Sequence, residues 1–282
     1  MNPFSLSFRL SGFLTLLLHT AALPGNAQEK DTPWPPPLAP AEPLSLLARR
    51  TALPTVWIAG DSTAAMGPAA ATGWGVPFSS LLEPGKVNVV NGARGGRSSR
   101  TFITEGLWDA MCQEIKAGDW VLIQFGHNDA GPVNDTSRAR GSLRTTGEET
   151  QEIDNMVTKK PETVHGYGWY MRKMIGETKA KGATPVVLAL TVRNKWKDGK
   201  VERRNGPWNH LAQETARTTG TAFLDLTGKI ANAYDHLGPE KVKQFFPRDH
   251  THTGRDGAAF TARLLIEALR DLKVPGLPAT QF

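Results

Sequence analysis

The chain has one cysteine, Cys112, among its 282 residues. A single thiol excludes an intrachain disulfide and any metal site built from several thiolates. Cys112 lies within an apolar-periodic segment, so we expect a small buried thiol. A cysteine nucleophile would need a partner that lowers the pKa of its thiol, and the neighbouring residues suggest none, so we assign Cys112 no function.

Long apolar runs are also scarce, and the one near the N-terminus is too short to span a bilayer comfortably. Arg9 precedes this run, and the small residues Gly25 and Ala27 follow it. This order is typical of a secretory signal peptide, with a membrane anchor as the alternative. We therefore expect residues 1–27 to direct export to a periplasm or the cell exterior, and no membrane span in the protein that remains.

The charge is not concentrated in the way that nucleic-acid binding requires. The formal net charge of +6 weakly favours an acidic partner, such as pectin, lipid head groups or nucleic acid. However, lysine and arginine are spread along the chain, and neither a nucleic-acid-reading module nor sustained aromatic-basic interleaving is visible. We therefore expect no nucleic-acid partner.

Several enzyme motifs are absent as well. No Gly-x-Ser-x-Gly occurs, which excludes the nucleophile elbow of α/β-hydrolases. Neither the P-loop nor the dinucleotide fingerprint is matched, so the glycine-rich residues 91–100 are a weak candidate for a phosphate loop. We expect no cofactor.

What the sequence does contain is an alternation of short apolar runs with amphipathic stretches. Five runs are predicted as buried strands: residues 55–60, 87–90, 120–125, 185–190 and 222–226. Helical spacing is visible in three other stretches: residues 103–115, 167–178 and 258–272. Since this alternation is typical of a parallel sheet covered on both faces, we expect one α/β domain with five parallel strands.

We place this domain at residues 55–273. The proline-rich residues 28–54 are predicted to be an extended linker, and residues 274–282 a C-terminal tail. Residues 130–166 are polar and follow the end of a predicted strand, the edge where open α/β sheets bind ligands. A structureless loop of that length is usually functional or mobile, so a substrate-shaping loop and an ordinary disordered insertion both remain open.

A serine follows the first predicted strand, in Gly60-Asp61-Ser62. A tight turn there would expose the serine Oγ and offer a backbone N–H to a developing oxyanion. The alternative is that Ser62 caps the following helix or turn, a common role of Asp-Ser pairs. This segment alone favours the cap.

Asp249 and His252 lie three residues apart before the last predicted helix. One turn could let the Asp249 carboxylate accept from His252 Nδ1–H, which leaves Nε2 free to take a serine proton. A metal site formed by Asp249, His250 and His252 is a rival interpretation, although no third histidine partner is evident. Ordinary surface histidines are another.

Two further segments follow predicted strands and could supply oxyanion donors. Glycines in residues 91–100 would let backbone N–H groups approach a ligand, and Asn128 offers a side-chain amide. Each alone is more typical of a turn. Together with a serine N–H they would form a three-donor oxyanion hole, in which loss of one donor costs about 3–4 kcal/mol in the barrier.

Four segments, taken in their order along the chain, resemble the motifs of the SGNH (GDSL-like) hydrolases. The matching blocks are Gly60-Asp61-Ser62, Gly96, Gly126-His127-Asn128-Asp129 and Asp249-x-x-His252. The chain is more narrowly similar to rhamnogalacturonan acetylesterases. That similarity is carried by Ala59-Gly60-Asp61-Ser62-Thr63, Gly73-Trp74-Gly75, Val89-Val90-Asn91, Gly96-Arg97-Ser98, Phe125-Gly126-His127-Asn128-Asp129 and Phe246-Pro247-x-Asp249-His250-Thr251-His252-Thr253.

The resemblance implies a flavodoxin-like three-layer α/β/α fold and an esterase without a metal. It assigns Ser62 as nucleophile, His252 as base and Asp249 as the residue that orients His252. The oxyanion donors would be the N–H groups of Ser62 and Gly96 with the amide of Asn128. Further substrate contacts are expected within the same blocks: Asp61, Arg97, His127 and Asp129.

The substrate implied by the resemblance is an acetylated plant cell-wall polysaccharide, above all rhamnogalacturonan. We expect the protein to be a monomer. Galacturonate carboxylates could meet Arg94, Arg97, Arg100, Lys195 and Lys197, although Arg97 equally fits a structural ion pair.

The sequence departs from the fungal-type members at residues 130–166 and 193–206, which leaves the substrate open. An esterase, lipase or thioesterase on the same fold that acts on another acetylated glycan or acyl ester is one alternative. A carbohydrate-binding protein without catalysis is another, with Trp196 and Trp208 as exposed sugar platforms.

Overall fold

A computed structural model of the chain describes residues 53–82, 85–203 and 206–272. The expected signal peptide at 1–27 and the C-terminal tail at 274–282 lie outside the described residues, as does the expected linker except for its last two residues. In the part of the chain that is described, no helix has the length and apolar character needed to cross a membrane.

Most of the strands belong to one central sheet. The strands are β1 (Thr55–Gly60), β2 (Asn88–Asn91), β3 (Trp120–Gln124), β4 (Thr150–Asp154), β5 (Pro161–His165), β6 (Thr184–Leu188), β7 (Trp196–Lys197), β8 (Lys200–Val201) and β9 (Ala222–Leu224). Five of them form a parallel sheet in the order β2-β1-β3-β6-β9, while β4-β5 and β7-β8 are antiparallel pairs. Counting the parallel strands alone, the order is the flavodoxin-like 2-1-3-4-5, which confirms the expected fold.

Helices connect and cover these strands. They are α1 (Gly75–Phe78), α2 (Ser99–Thr104), α3 (Leu107–Glu114), α4 (Tyr167–Ala180), α5 (Trp208–Thr218), α6 (Leu226–Leu237), α7 (Pro239–Lys243) and α8 (Arg255–Leu272). The residues predicted as one helix at 103–115 form two, because Gly106 adopts a left-handed conformation (φ +75°) between α2 and α3.

The sheet separates two apolar cores. Successive side chains of a strand point to opposite faces, so β1 sends Ile58 to one core and Trp57 to the other. The Ile58 side is packed by α1, α6 and α8, and the Trp57 side by α2, α3, α4 and α5. Burial on both faces explains why the central strands read as continuous apolar runs.

The register of the sheet brings the polar ends of three strands to one edge. Gly60 at the end of β1 lies opposite Gln124 at the end of β3. The residues after β2 continue alongside β1, since the N–H of Arg94 donates to the Gly60 carbonyl oxygen at 3.0 Å. The segments that follow β1, β2 and β3 therefore meet at the carboxyl edge of the sheet.

Residues 130–166 are not structureless, contrary to expectation. They contain the β4-β5 hairpin and are tied to α2 by Arg100, whose side chain is completely buried. The Arg100 guanidinium donates to both carboxylate oxygens of Glu162, at 2.7 and 2.8 Å, and to the carbonyl oxygens of Val133 and Gly141, each at 2.7 Å. The expectation was wrong because hydrophobic periodicity does not register a segment held by a buried ion pair.

Candidate active site

Ser62, His252 and Asp249 form a continuous hydrogen-bonded chain. Ser62 Oγ lies 2.9 Å from His252 Nε2, and His252 Nδ1 lies 2.7 Å from Asp249 Oδ2. With an ionised Asp249, Nδ1 carries the proton and donates it, so Nε2 is the acceptor that faces the serine hydroxyl. The structure therefore brings together the three residues that the sequence analysis selected.

The loop of His252 holds Asp249 in place. Asp249 Oδ1 accepts from the backbone N–H groups of Thr251 at 2.6 Å and His252 at 2.8 Å. Burial would raise the pKa of Asp249, but the hydrogen bonds from the His252 ring and these two N–H groups lower it below its usual value. Asp249 is thus kept ionised.

Ser62 sits on a turn built by Asp61. Oδ1 of the buried Asp61 accepts from both the N–H and the hydroxyl of Thr63, each at 2.8 Å. The N–H of Ala65 donates to the Asp61 carbonyl oxygen at 3.0 Å, which closes the turn. Burial raises the pKa of Asp61, against the opposing effect of the bonds from Thr63 and the charges of His252 and Arg140. Asp61 therefore shapes the turn that presents the Ser62 hydroxyl.

Residues 72–75 brace this turn from the side. The N–H of Gly73 donates to the Ala65 carbonyl oxygen at 2.9 Å, and the N–H of Trp74 donates to that of Thr63 at 2.9 Å. A Cβ at Gly73 would lie 2.3 to 2.6 Å from backbone atoms of Ala64 and Ala65. Only glycine permits so close an approach, which gives this position of the Gly-Trp-Gly motif a physical role.

A buried glutamine links the brace to the sheet. Gln124 Oε1 accepts from Trp74 Nε1 at 2.8 Å, and Gln124 Nε2 donates to the Ala189 carbonyl oxygen at 2.7 Å. Sequence reasoning missed Gln124, although a polar residue at the end of the apolar third strand was an available signal. It fixes the brace against the ends of β3 and β6.

The expected oxyanion donors occupy the same edge. Among the described residues, the N–H groups of Ser62 and Gly96 have no hydrogen-bond acceptor. Asn128 donates from Nδ2 to the Arg97 carbonyl oxygen at 2.9 Å, and this bond orients the amide with its second N–H still available. All three groups can serve as donors to an additional ligand.

His127 is half-buried and contacts Thr191. Its Nε2 lies 3.1 Å from Thr191 Oγ1, and its Nδ1 is buried without a partner in the described part of the chain. Desolvation of the ring, with smaller electrostatic contributions from Arg193 and His252, lowers the pKa of His127 to about 3. His127 is therefore neutral at ordinary pH.

Asp129 is engaged within the protein. Its Oδ1 accepts from the hydroxyls of Ser99 and Ser142, each at 2.5 Å, which joins the start of α2 to the segment 130–166. Burial raises the pKa of Asp129 to about 6, even though the hydroxyls of Ser142 and Ser99 favour the charged form. The carboxyl group thus connects two loops of the site.

The arginines expected to meet substrate are placed differently from one another. Arg97 is buried and ion-paired with Glu105 at 2.8 Å. Arg100 is fully buried in its pair with Glu162, and Arg94 is exposed. Arg97 and Arg100 therefore have their charges compensated inside the protein.

Arg140 lies beside Gly96 and was not among the residues predicted from the sequence. Its Nη1 donates to the Gly96 carbonyl oxygen at 3.0 Å. No local sequence signal marks Arg140, since it is one of several arginines in a polar segment.

Asp249, His250 and His252 are not placed to form a metal site. Both ring nitrogens of His252 already face partners, Ser62 and Asp249. Within residues 53–82, 85–203 and 206–272, no group of three or more His, Cys, Asp or Glu side chains is placed to hold a metal ion.

The expectation that Trp208 is an exposed sugar platform was wrong. Trp208 begins α5, is only 2% exposed and packs edge-on against Tyr167 with ring centroids 5.5 Å apart. Trp196 is partly buried against the core. Cys112 is half-buried, and burial raises the pKa of its thiol.

The chain is similar in sequence to known proteins. Residues 58–260 match the GDSL-like lipase/acylhydrolase family. The chain is 30% identical to the rhamnogalacturonan acetylesterase of Emericella nidulans over 226 residues, covering 80% of this chain and 88% of that protein. It is also 30% identical to the rhamnogalacturonan acetylesterase RhgT of Bacillus subtilis over 238 residues, covering 78% and 91%.

Solved structures show the same fold. The YxiM protein of Bacillus subtilis aligns with a TM-score of 0.65 and 24% identity over 80% of this chain, which spans 58% of that longer chain. Axe2, an acetylxylan esterase from Geobacillus stearothermophilus, aligns with a TM-score of 0.53 and 18% identity over 80% of this chain and 97% of that one.

The family match covers most of the chain and agrees with the identity to curated relatives and with the order of the sheet. The chain therefore belongs to the GDSL-like lipase/acylhydrolase family and is a carboxylic ester hydrolase.

Proposed function

We propose that this protein is an exported serine acetylesterase that removes O-acetyl groups from acetylated rhamnogalacturonan, and that it acts as a monomer. The observation that carries the chemistry is the chain of contacts from Asp249 through His252 to Ser62 Oγ. The substrate is supported by the two rhamnogalacturonan acetylesterases to which the chain is similar.

In the proposed reaction, Ser62 Oγ attacks the acetyl carbonyl carbon while His252 Nε2 takes its proton. The negative charge on the carbonyl oxygen is stabilised by the N–H groups of Ser62 and Gly96 and by the Asn128 amide. The intermediate collapses when His252 returns the proton to the departing sugar oxygen. Water, activated by His252, then cleaves the acetyl-serine ester and releases acetate.

The other residues expected to contact substrate receive supporting roles in this proposal. Asp61 shapes the nucleophile turn, Arg97 and Asp129 hold the loops of Gly96 and Asn128, and His127 contacts Thr191. This division follows from the burial of Asp61, Arg97 and Asp129 and from the contacts that all four residues make within the protein.

The chemistry is tested with p-nitrophenyl acetate. We expect turnover by the wild type, a loss of about 10⁴-fold or more in Ser62→Ala, and no change in the matched variant Ser79→Ala, whose serine is exposed. Equal rates for the wild type and Ser62→Ala would overturn the assignment of the nucleophile.

The substrate is tested by acetate release from acetylated rhamnogalacturonan, xylan and chitin side by side. Activity confined to xylan would contradict the pectin substrate. A preference for p-nitrophenyl octanoate over acetate would favour a lipase or thioesterase. Polysaccharide binding that survives Ser62→Ala, without acetate release by the wild type, would favour a binding protein.

A further inference from the structure

Arg140 differs from the two buried arginines beside the site, Arg97 and Arg100, because no carboxylate of the described residues forms an ion pair with it. Its guanidinium has no carboxylate oxygen within 4.0 Å among the described residues, and its one hydrogen bond to the protein goes to the Gly96 carbonyl oxygen. Arg97 and Arg100, by contrast, are each paired with a glutamate at 2.8 and 2.7 Å. Of these three cations, Arg140 alone has no ion-pair partner among the described residues.

The guanidinium of Arg140 is also accessible. The residue is half-buried, and no nitrogen of its side chain is both buried and unpartnered. The Gly96 carbonyl oxygen engages only Nη1, so Nε and Nη2 have no partner in the described residues and are not sealed from solvent. Gly131 supports the side chain from behind, since a Cβ there would lie 3.3 Å from Arg140 Cγ and Nε. The cation is thus held in place while its donors stay free.

The electrostatics agree with this geometry. Burial, followed by the charge of Arg138, lowers the pKa of Arg140 to about 10, while the charges of Asp61, Asp129 and Asp135 oppose this shift. The cation is therefore partly desolvated, and no carboxylate of the described residues lies within ion-pair distance of it. A guanidinium in this condition gains most from a carboxylate, which it can bind through two parallel hydrogen bonds. After burial and the hydrogen bonds from Thr63, the charges of His252 and Arg140 lower the pKa of Asp61, so the charge of Arg140 is felt next to Ser62.

We propose that Arg140 binds a carboxylate of the substrate beside the loop of Gly96, so that the enzyme selects acetyl esters carried by uronate-containing saccharides over those carried by neutral saccharides. This inference rests on the proposed function, which supplies the acetylated saccharide. It assigns the recognition of acidic sugars to Arg140 rather than to Arg97 or Arg100, which the sequence had suggested.

The test compares two forms of one polymer: acetylated rhamnogalacturonan, and the same material after its free carboxyl groups are converted to methylamides. The wild type is expected to prefer the acidic form. Arg140→Gln is expected to lose about tenfold in kcat/KM on the acidic form, mainly through KM, which corresponds to about 1.4 kcal/mol. On the amidated form and on p-nitrophenyl acetate it should stay within about twofold of the wild type.

Two further variants sharpen the comparison. Arg140→Lys keeps the positive charge but cannot form two parallel hydrogen bonds to one carboxylate. It should therefore recover part of the preference for the acidic polymer. Arg144→Gln removes an exposed arginine from the same segment, 130–166, and should leave the preference unchanged. Circular dichroism and Tm measured for each variant show that the fold is retained.

Three results would overturn the inference. The first is an equal loss by Arg140→Gln on all three substrates, which would show that Arg140 acts through Gly96 on the oxyanion hole. The second is a wild type that does not discriminate between the acidic and amidated polymers. The third is p-nitrophenyl acetate turnover without acetate release from either polymer. This result would also overturn the proposed polysaccharide function, whereas the first two results would leave that function standing.

Discussion

Thr253 Oγ1 donates a hydrogen bond of 2.9 Å to the carbonyl oxygen of Thr72, across 181 positions of the chain. Thr253 directly follows His252, and Thr72 begins the segment that braces the turn of Ser62. The loop of the histidine and the turn of the serine are therefore joined by a bond that does not involve their reactive side chains. This arrangement holds Nε2 and Oγ together in the absence of substrate.

Thr253→Val is expected to lower kcat on p-nitrophenyl acetate by about three- to tenfold, because one hydrogen bond of about 1 kcal/mol that fixes the two loops is lost. The matched variant Thr136→Val, at an exposed threonine, should have no effect. Steady-state kinetics and Tm are the measurements. Wild-type kcat in Thr253→Val would show that the Ser62–His252 contact does not depend on this bond.

Gly73→Ala should reduce kcat by about 100-fold or more. The added Cβ must displace the backbone of Ala64 and Ala65 and thereby move Ser62. Gly176→Ala is the matched control: it lies in α4, a Cβ there meets nothing within 4 Å, and alanine should stabilise the helix by up to about 1 kcal/mol. Comparable activity in the two variants would contradict the brace.

Asp249→Asn should lower kcat by about 10⁴-fold, because an amide would not hold the His252 tautomer that leaves Nε2 unprotonated. The Asn side chain can still accept from the N–H of Thr251, so the loop is expected to keep its shape. Rates with p-nitrophenyl acetate check the loss. A decrease smaller than tenfold would show that Asp249 contributes little to orienting His252.

Asp249→Asn should also change how the Tm of the protein depends on pH in the acid range. Although burial opposes it, the hydrogen bonds to Asp249 hold its folded-state pKa below the unfolded value of about 3.9. The stabilisation is therefore fully present above that pH and is lost as the pH falls towards the folded-state pKa. The difference in Tm between the wild type and Asp249→Asn should narrow below about pH 4, and a constant difference would contradict this assignment.

Asp129→Asn should show the opposite dependence. Burial raises the folded-state pKa of Asp129 to about 6, so its protonated form stabilises the protein below about pH 3.9, and this contribution is lost as the pH rises through about 6. The Tm of Asp129→Asn relative to the wild type should therefore rise between pH 4 and pH 7. A Tm difference that is flat over this range would show that the raised pKa is absent.

Much of the scaffold was predictable because its signals are local. The sequence predicts the ends of all five strands of the sheet to within about two residues, since strands buried on both faces form short continuous apolar runs. Hydrophobic periodicity predicts neither α5 nor α6, and it predicts a structureless loop where the hairpin β4-β5 forms. Pairing in that hairpin and the buried Arg100–Glu162 ion pair depend on residues that are distant in sequence.

By itself, the sequence determined the class of fold and the residue types at the ends of the strands, because hydrophobic periodicity and motif order are properties of the linear chain. Only the tertiary structure decided which charged groups form ion pairs: within the described part of the chain, Arg97 and Arg100 do so, whereas Arg140 does not. It also decided that Ser62 meets His252, 190 positions away. The physical reason is that burial, desolvation and hydrogen-bond distances follow from packing between elements, which a linear pattern does not encode.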